Sequence, residues 1–160
     1  QVGIRMIFFF TQIGFVEVLP QRGTYVTKFS MDKILEARFI REALETAVVT
    51  YLVQADESTR LQAVTRCEAI LDAQKDAAQQ DDAMRFQQLD DEFHQALSQS
   101  TPFPRLAQLI EGEKAHMDRV RNLSLHVSGQ YNRVLEQHAG IIAALKTGSA
   151  DTSHVTYPGA

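Results

Sequence analysis

The chain is short of several things, and each shortage narrows what it can be. It has a single cysteine, Cys67, which excludes an internal disulfide framework and fits a reducing compartment. No apolar run approaches the roughly 20 residues that span a bilayer. Met6 to Phe10, "MIFFF", is too short for that, and no small-residue cleavage pattern of a signal peptide accompanies it. Positive charge is also in deficit, with 16 Lys and Arg against 20 Asp and Glu and a formal net charge of −4. That balance argues against a chain that coats nucleic acid along its whole length, while leaving room for a small basic reader on an acidic body. Internal repeats and low-complexity linkers are absent. The expectation is a cytoplasmic protein with no membrane segment. Its 160 residues suffice for one domain with a real core and a small appendage.

What is present divides into two unequal parts, 1–29 and 30–160. In the first, "GFVEVLP" reads as a strand through Phe15, Val16 and Val18. Gln21 to Gly23 make a turn, and "TYVTKF" alternates apolar and polar residues like a second strand. Pro20 falls at the strand end, where a missing N–H does least harm. The result is a β-hairpin with Arg22 at its tip. A lone hairpin is marginal in water, and Met6 to Ile13 are expected to supply the end of a helix for it to pack on.

Beyond Ser30, a plausible N-cap, the pattern is helical. The first helix carries Ile34, Leu35, Ile40, Leu44, Val48, Leu52 and Val53 at helical spacing, and the second carries Leu61, Val64, Ile70 and Leu71. A third spans about 83–97. Pro102 and Pro104 break the chain, a fourth helix covers about 105–125, and "HVSGQ" turns into a fifth over about 131–146. Gly148 is expected as its C-terminal cap, and the tail from Thr147 reads as a frayed end. Short links make neighbours antiparallel. The expected fold is therefore all-α, an antiparallel helical bundle preceded by a short β-hairpin.

The chemistry centres on "QQLDDEFHQALSQS", where Asp90 and His94 lie one helical turn apart. Such i,i+4 pairs are common surface contacts worth about a few tenths of a kcal/mol. Against that bland reading, Phe93 and Leu97 suggest that this face turns inward, and His138 sits among apolar residues on another helix. A carboxylate and imidazoles projecting inward from facing helices are how bundles build metal centres. The mixed oxygen–nitrogen set suits Zn, Ni, Co, Mn or Fe(II) rather than a soft-thiolate site. On the residues alone both readings stand. His116, His126 and His154 receive no role, and Cys67 reads as packing. Arg22, with Thr24 and Lys28 nearby, fits either phosphate or minor-groove contact or a solvent-facing turn. Arg41 either pairs with Glu45 at i+4 or faces a cavity, ready to clamp a carboxylate.

Five stretches in order resemble one family. "GFVEVLPQRGTYV" is similar to the end of the winged helix–turn–helix of GntR-family transcription regulators. "EARFIREALETAV" resembles the R-x-x-L-E opening of the helical ligand-binding FCD domain of the FadR-like branch. "LDDEFHQAL" matches its D-x-x-F-H motif, and "AHMDRVRNLSL" and "EQHAGIIAALKTG" match later helices, with His138 in an E-x-H-x-x-I position. The resemblance runs from about Gly14 to Gly148. It implies a metabolite-responsive regulator, most commonly a repressor, acting as a homodimer on operator DNA through an intact winged helix–turn–helix. Arg22, Gly23 and Thr24 would belong to the wing. The helical domain would hold a divalent metal ion (Zn, Ni or similar) through Asp90, His94 and His138, and a small carboxylate effector through Arg41 and Arg119.

The family's last histidine falls about six helical turns beyond His138, where Ala160 stands, so three ligands are expected. His154, at a different spacing, is the sole replacement candidate. Residues 1–29 resemble only the C-terminal remnant of the DNA-binding domain, with Met6 to Phe10 where the family places polar, DNA-facing residues. Residues 30–160 resemble the ligand-binding domain, short of its final histidine. The competing expectation is a helical-bundle metalloenzyme acting on a small organic acid. It lacks a convincing general base, because Asp91 and Glu92 point elsewhere on the helix from Asp90 and His94.

Overall fold

The computed structural model describes residues 16–21, 23–26, 31–113 and 130–149. Strands β1 (Val16–Leu19) and β2 (Gly23–Val26) pair antiparallel, with Leu19 opposite Gly23 and Val18 opposite Thr24. The turn between them needs the left-handed region, taken by Gln21 at φ 62° and Gly23 at φ 105°. Val18 and Tyr25 are exposed. Arg22, Ser30 and the helix expected over Met6 to Ile13 lie outside the described residues.

The rest is helical: α1 (Met31–Gln54), α2 (Glu57–Gln79), α3 (Ala83–Gln99), α4 (described over 104–113) and α5 (Gln130–Thr147). Short links separate α1 from α2, α2 from α3 and α3 from α4. Asp56 caps α2, its carboxylate accepting from the Thr59 N–H at 2.9 Å and the Thr59 hydroxyl at 2.7 Å. Asp82 caps α3 by accepting from the Arg85 N–H at 2.9 Å. Both satisfy donors that the first helical turn leaves without partners. Ser100 closes α3, and α4 begins at Pro104, the one helical position where proline loses nothing. Gly148, at φ 63°, donates its N–H to the Ala144 carbonyl at 3.0 Å and caps α5 in the left-handed conformation.

Helix α2 packs against α3 and α5, and α1 lies against the same two helices. The main core joins Val48, Leu52 and Val53 of α1, Val64, Cys67 and Leu71 of α2, Phe93 and Leu97 of α3, Ile110 of α4, and Ile141 and Leu145 of α5. A smaller cluster holds Ala77, Phe86 and Leu89. Its partly buried neighbour Tyr131 lies 4.4 Å from Phe86 between ring centroids. Fully buried leucines such as Leu52 and Leu145 each contribute about 1.5–3 kcal/mol. Cys67 is fully buried, and burial pushes its thiol up to about 12, so it packs rather than reacts.

Two leucines expected inside are outside. Leu35 and Leu61 are 55% and 51% exposed. On α1 the inward row runs through Ala37, Arg41, Glu45, Val48 and Leu52, so a charged pair occupies one turn of it. Leu35 instead shares an exposed row with Met31 and Phe39. Two buried polar residues fall between the apolar clusters, Gln74 between Leu71 and Ala77 on α2 and Asp90 between Leu89 and Phe93 on α3.

Candidate metal centre

The four-residue spacing on α3 puts Asp90 and His94 on one face, and that face is buried: each is 6% exposed. Helix α5 brings His138, 2% exposed, to the same place. One ligand atom from each of the three lies within 4.8 Å of the others. The His138 Nε2 is 3.4 Å from Asp90 Oδ1, and the His94 Nε2 is 3.9 Å from the same oxygen. Phe93 lies against His138 with ring centroids 3.8 Å apart and planes 6° apart. His94 meets His138 edge to face at 5.2 Å and 77°.

The opposite nitrogen of each imidazole faces an oxygen. His94 Nδ1 is 3.2 Å from Glu45 Oε1, and His138 Nδ1 is 2.8 Å from Gln74 Oε1. Carboxylate and carboxamide oxygens accept and do not donate, so each suits a neutral ring protonated at Nδ1. In that tautomer both Nε2 lone pairs are turned towards Asp90. Three electron-pair donors facing one another are the arrangement that a divalent cation satisfies. Ligands each about 2.0–2.2 Å from one metal stand roughly 3.0–3.5 Å apart. The 3.4 Å separation already fits, and the 3.9 Å one needs a small closure. The residues present suit a divalent ion with open positions.

Arg41 lies on the inward row of α1 and pairs with Glu45. Its Nε donates to Glu45 Oε1 at 2.6 Å, and its side chain lines a cavity of about 20 Å³ beside His94, Ser98, Ile110 and Glu111. That volume holds about one water, so a carboxylate would enter only if α4 side chains gave way. Asp91, expected to point away from the Asp90–His94 face, lines this cavity too. Gly23 and Thr24 are exposed on β2. Arg22, Arg119, His116, His126 and His154 lie outside the described residues.

Two participants were not singled out from sequence. Glu45 was considered only as a partner for Arg41, and its contact with His94 crosses from α1 to α3. Gln74 contacts His138 from 64 residues away. The signal that would have found it is a glutamine on the inward row of α2, three residues from both Leu71 and Ala77.

The FCD domain model matches residues 36–155. The chain is similar to the HTH-type transcriptional repressor RspR of Escherichia coli K12, 34% identical over 141 residues, covering 86% of this chain and 59% of RspR. It is also similar to an uncharacterized HTH-type transcriptional regulator in an unstable DNA locus of Streptomyces ambofaciens. There the identity is 28% over 137 residues, covering 86% of this chain and 56% of the relative. The chain thus spans less than two thirds of the length of these regulators. Among solved structures, E. coli McbR/YncC shares the fold, with a TM-score of 0.68 at 17% identity, covering 89% of this chain and 72% of that one.

Proposed function

The chain belongs to the FCD-domain family, and on that premise we propose that it is the sensor portion of a GntR-type transcription regulator. In this reading Asp90, His94 and His138 hold a divalent metal such as zinc or nickel, and a small carboxylate metabolite binds beside it. The observation that carries the reading is the buried convergence of three ligand atoms from α3 and α5 within 4.8 Å. When bound, the ion supplies an electrophilic point for one carboxylate oxygen. Arg41 offers a guanidinium to the adjoining cavity, a second point of attachment with bidentate geometry. Arg119 is assigned the same role.

Output follows from coupling to the head. Arg22, Gly23 and Thr24 belong to the wing in this reading, and a cytoplasmic homodimer sets two such wings on a pseudo-palindromic operator. The effector shifts head spacing only by as much as it binds one arrangement better than the other. RspR is named a repressor, and repression is the sense carried over here. The test is zinc and nickel uptake by the parent chain and by His94→Ala, followed by titration with small hydroxy and keto acids. A parent that takes up neither metal, or a variant that binds as the parent does, rejects the assignment.

A further inference from the structure

The ligand triad is held from behind by two side chains that are not ligands. We propose that Gln74 is a positioning residue that keeps His138 in the Nδ1–H tautomer, with Glu45 doing the same for His94, so that the site is set for metal before any metal arrives. The proposal rests on the reading of Asp90, His94 and His138 as ligands.

Gln74 is fully buried, and its Oε1 sits 2.8 Å from His138 Nδ1. The same ring presents its Nε2 to Asp90 at 3.4 Å. Gln74 Nε2 is buried and has no hydrogen-bond partner among the described residues. Leaving a buried amide donor without a partner is costly, and a leucine of similar volume would fill the space without that cost. The feature of glutamine that this position uses is its carbonyl oxygen.

A neutral imidazole carries one proton, and the hydrogen bond at one nitrogen decides which nitrogen keeps the lone pair. The Phe93 stack, with planes 6° apart, fixes the plane of the His138 ring but not which of its nitrogens is protonated. Asp90 Oδ1 would draw the proton to Nε2, and the lone pair needed for metal would then point into the core. The Gln74 carbonyl reverses that choice. Glu45 acts likewise on His94 Nδ1 at 3.2 Å, but it also pairs with Arg41 at 2.6 Å. Gln74 therefore gives the cleaner test.

The experiment uses cobalt(II) as the probe, with affinities from competition against a chromophoric chelator. Long-range ¹H–¹⁵N NMR of the metal-free protein reads the His138 tautomer. The parent is expected to bind cobalt and to show His138 as Nδ1–H. Gln74→Leu is expected to keep its thermal midpoint, bind cobalt ~10–100-fold more weakly, and move His138 to Nε2–H. Gln74→Glu, which restores an acceptor, is expected to bind within a few-fold of the parent. Parent-like affinity in Gln74→Leu, or an Nε2–H tautomer in the parent, overturns the proposal. The parent's tautomer is read without any variant, so a Gln74→Leu chain that fails to fold leaves that outcome decisive. A parent that binds no cobalt rejects the metal site itself, a result separate from either of these.

Discussion

Phe93 lies flat on His138, 3.8 Å between ring centroids and 6° between planes. The phenylalanine of the D-x-x-F-H stretch is thus both core and platform. It is fully buried within the main cluster, and it fixes the plane of a ring supplied by another helix. Phe93→Ala is expected to cost about 3–5 kcal/mol, the usual range for truncating a buried aromatic. It should also weaken divalent-metal binding by freeing the His138 ring. Urea denaturation gives the first quantity and chelator competition the second. Unchanged metal affinity in a destabilised but folded variant would show that the stack is packing alone.

The Arg41–Glu45 pair is buried on both sides, with side chains 6% and 5% exposed. Removing one partner of such a pair typically costs about 3–5 kcal/mol, whereas replacing both by apolar residues of similar size is often neutral or better. Glu45→Leu should therefore be strongly destabilised, and Arg41→Met with Glu45→Leu should recover most of the loss. Paired urea midpoints measure this, and additive losses in the double variant would contradict it.

Metal binding to the folded chain alone raises its stability by mass action. At a free ion concentration one hundred times the Kd, the gain is about 2.7 kcal/mol. Zinc or nickel should raise the thermal midpoint of the parent, and a chelator should return it. His94→Ala and His138→Ala should show a much smaller rise. Equal shifts in all three proteins would place the ion elsewhere.

Much of the bundle was legible because its boundaries are written in local chemistry. Pro102 and Pro104 mark the break before α4, and Gly148 closes α5, whereas the Asp56 and Asp82 caps of α2 and α3 emerge only from the structure. The site was half legible. Asp90 and His94 follow from helical spacing, and His138 from its apolar setting. The layer behind them did not follow, since periodicity counts apolar residues and assigns a buried charge to the surface. That is why Leu35 was expected inside, and why the inward position of Arg41 was left open. The spacing of Gln74 from Leu71 and Ala77 marks it as inward, but its contact with His138 joins α2 to α5 and is not encoded along either helix.

Stability in acid should carry the signature of Asp56. The Thr59 backbone N–H, then its hydroxyl, stabilise the ionised cap and hold the carboxyl at about 2, below its usual 3.8. The folded state binds this proton more weakly than the unfolded state, so protonation favours unfolding. The contribution is fully present above about pH 4 and is lost as pH falls towards 2. Asp56→Asn keeps a capping oxygen but cannot titrate. Its urea midpoint should fall less steeply between pH 4 and 2 than the parent's, and parallel curves would remove Asp56 from the acid transition.

Gly148 offers a test that separates backbone strain from crowding. Its φ of 63° is disfavoured for residues with a Cβ, and a Cβ there would collide with the Arg60 guanidinium. Arg60 Nη1 reaches back to the Val53 carbonyl at 3.5 Å, so the C-terminus of α5, the start of α2 and the end of α1 meet at this point. Gly148→Ala should lose about 1–2 kcal/mol, the ordinary cost of the left-handed conformation. The arginine is flexible and can swing outwards. If strain dominates, Gly148→Asn recovers part of the loss, because asparagine tolerates this conformation although its side chain is larger. If crowding dominates, Asn is worse than Ala and Arg60→Ala rescues both. Thermal denaturation of the four variants distinguishes these outcomes, and the geometry favours strain.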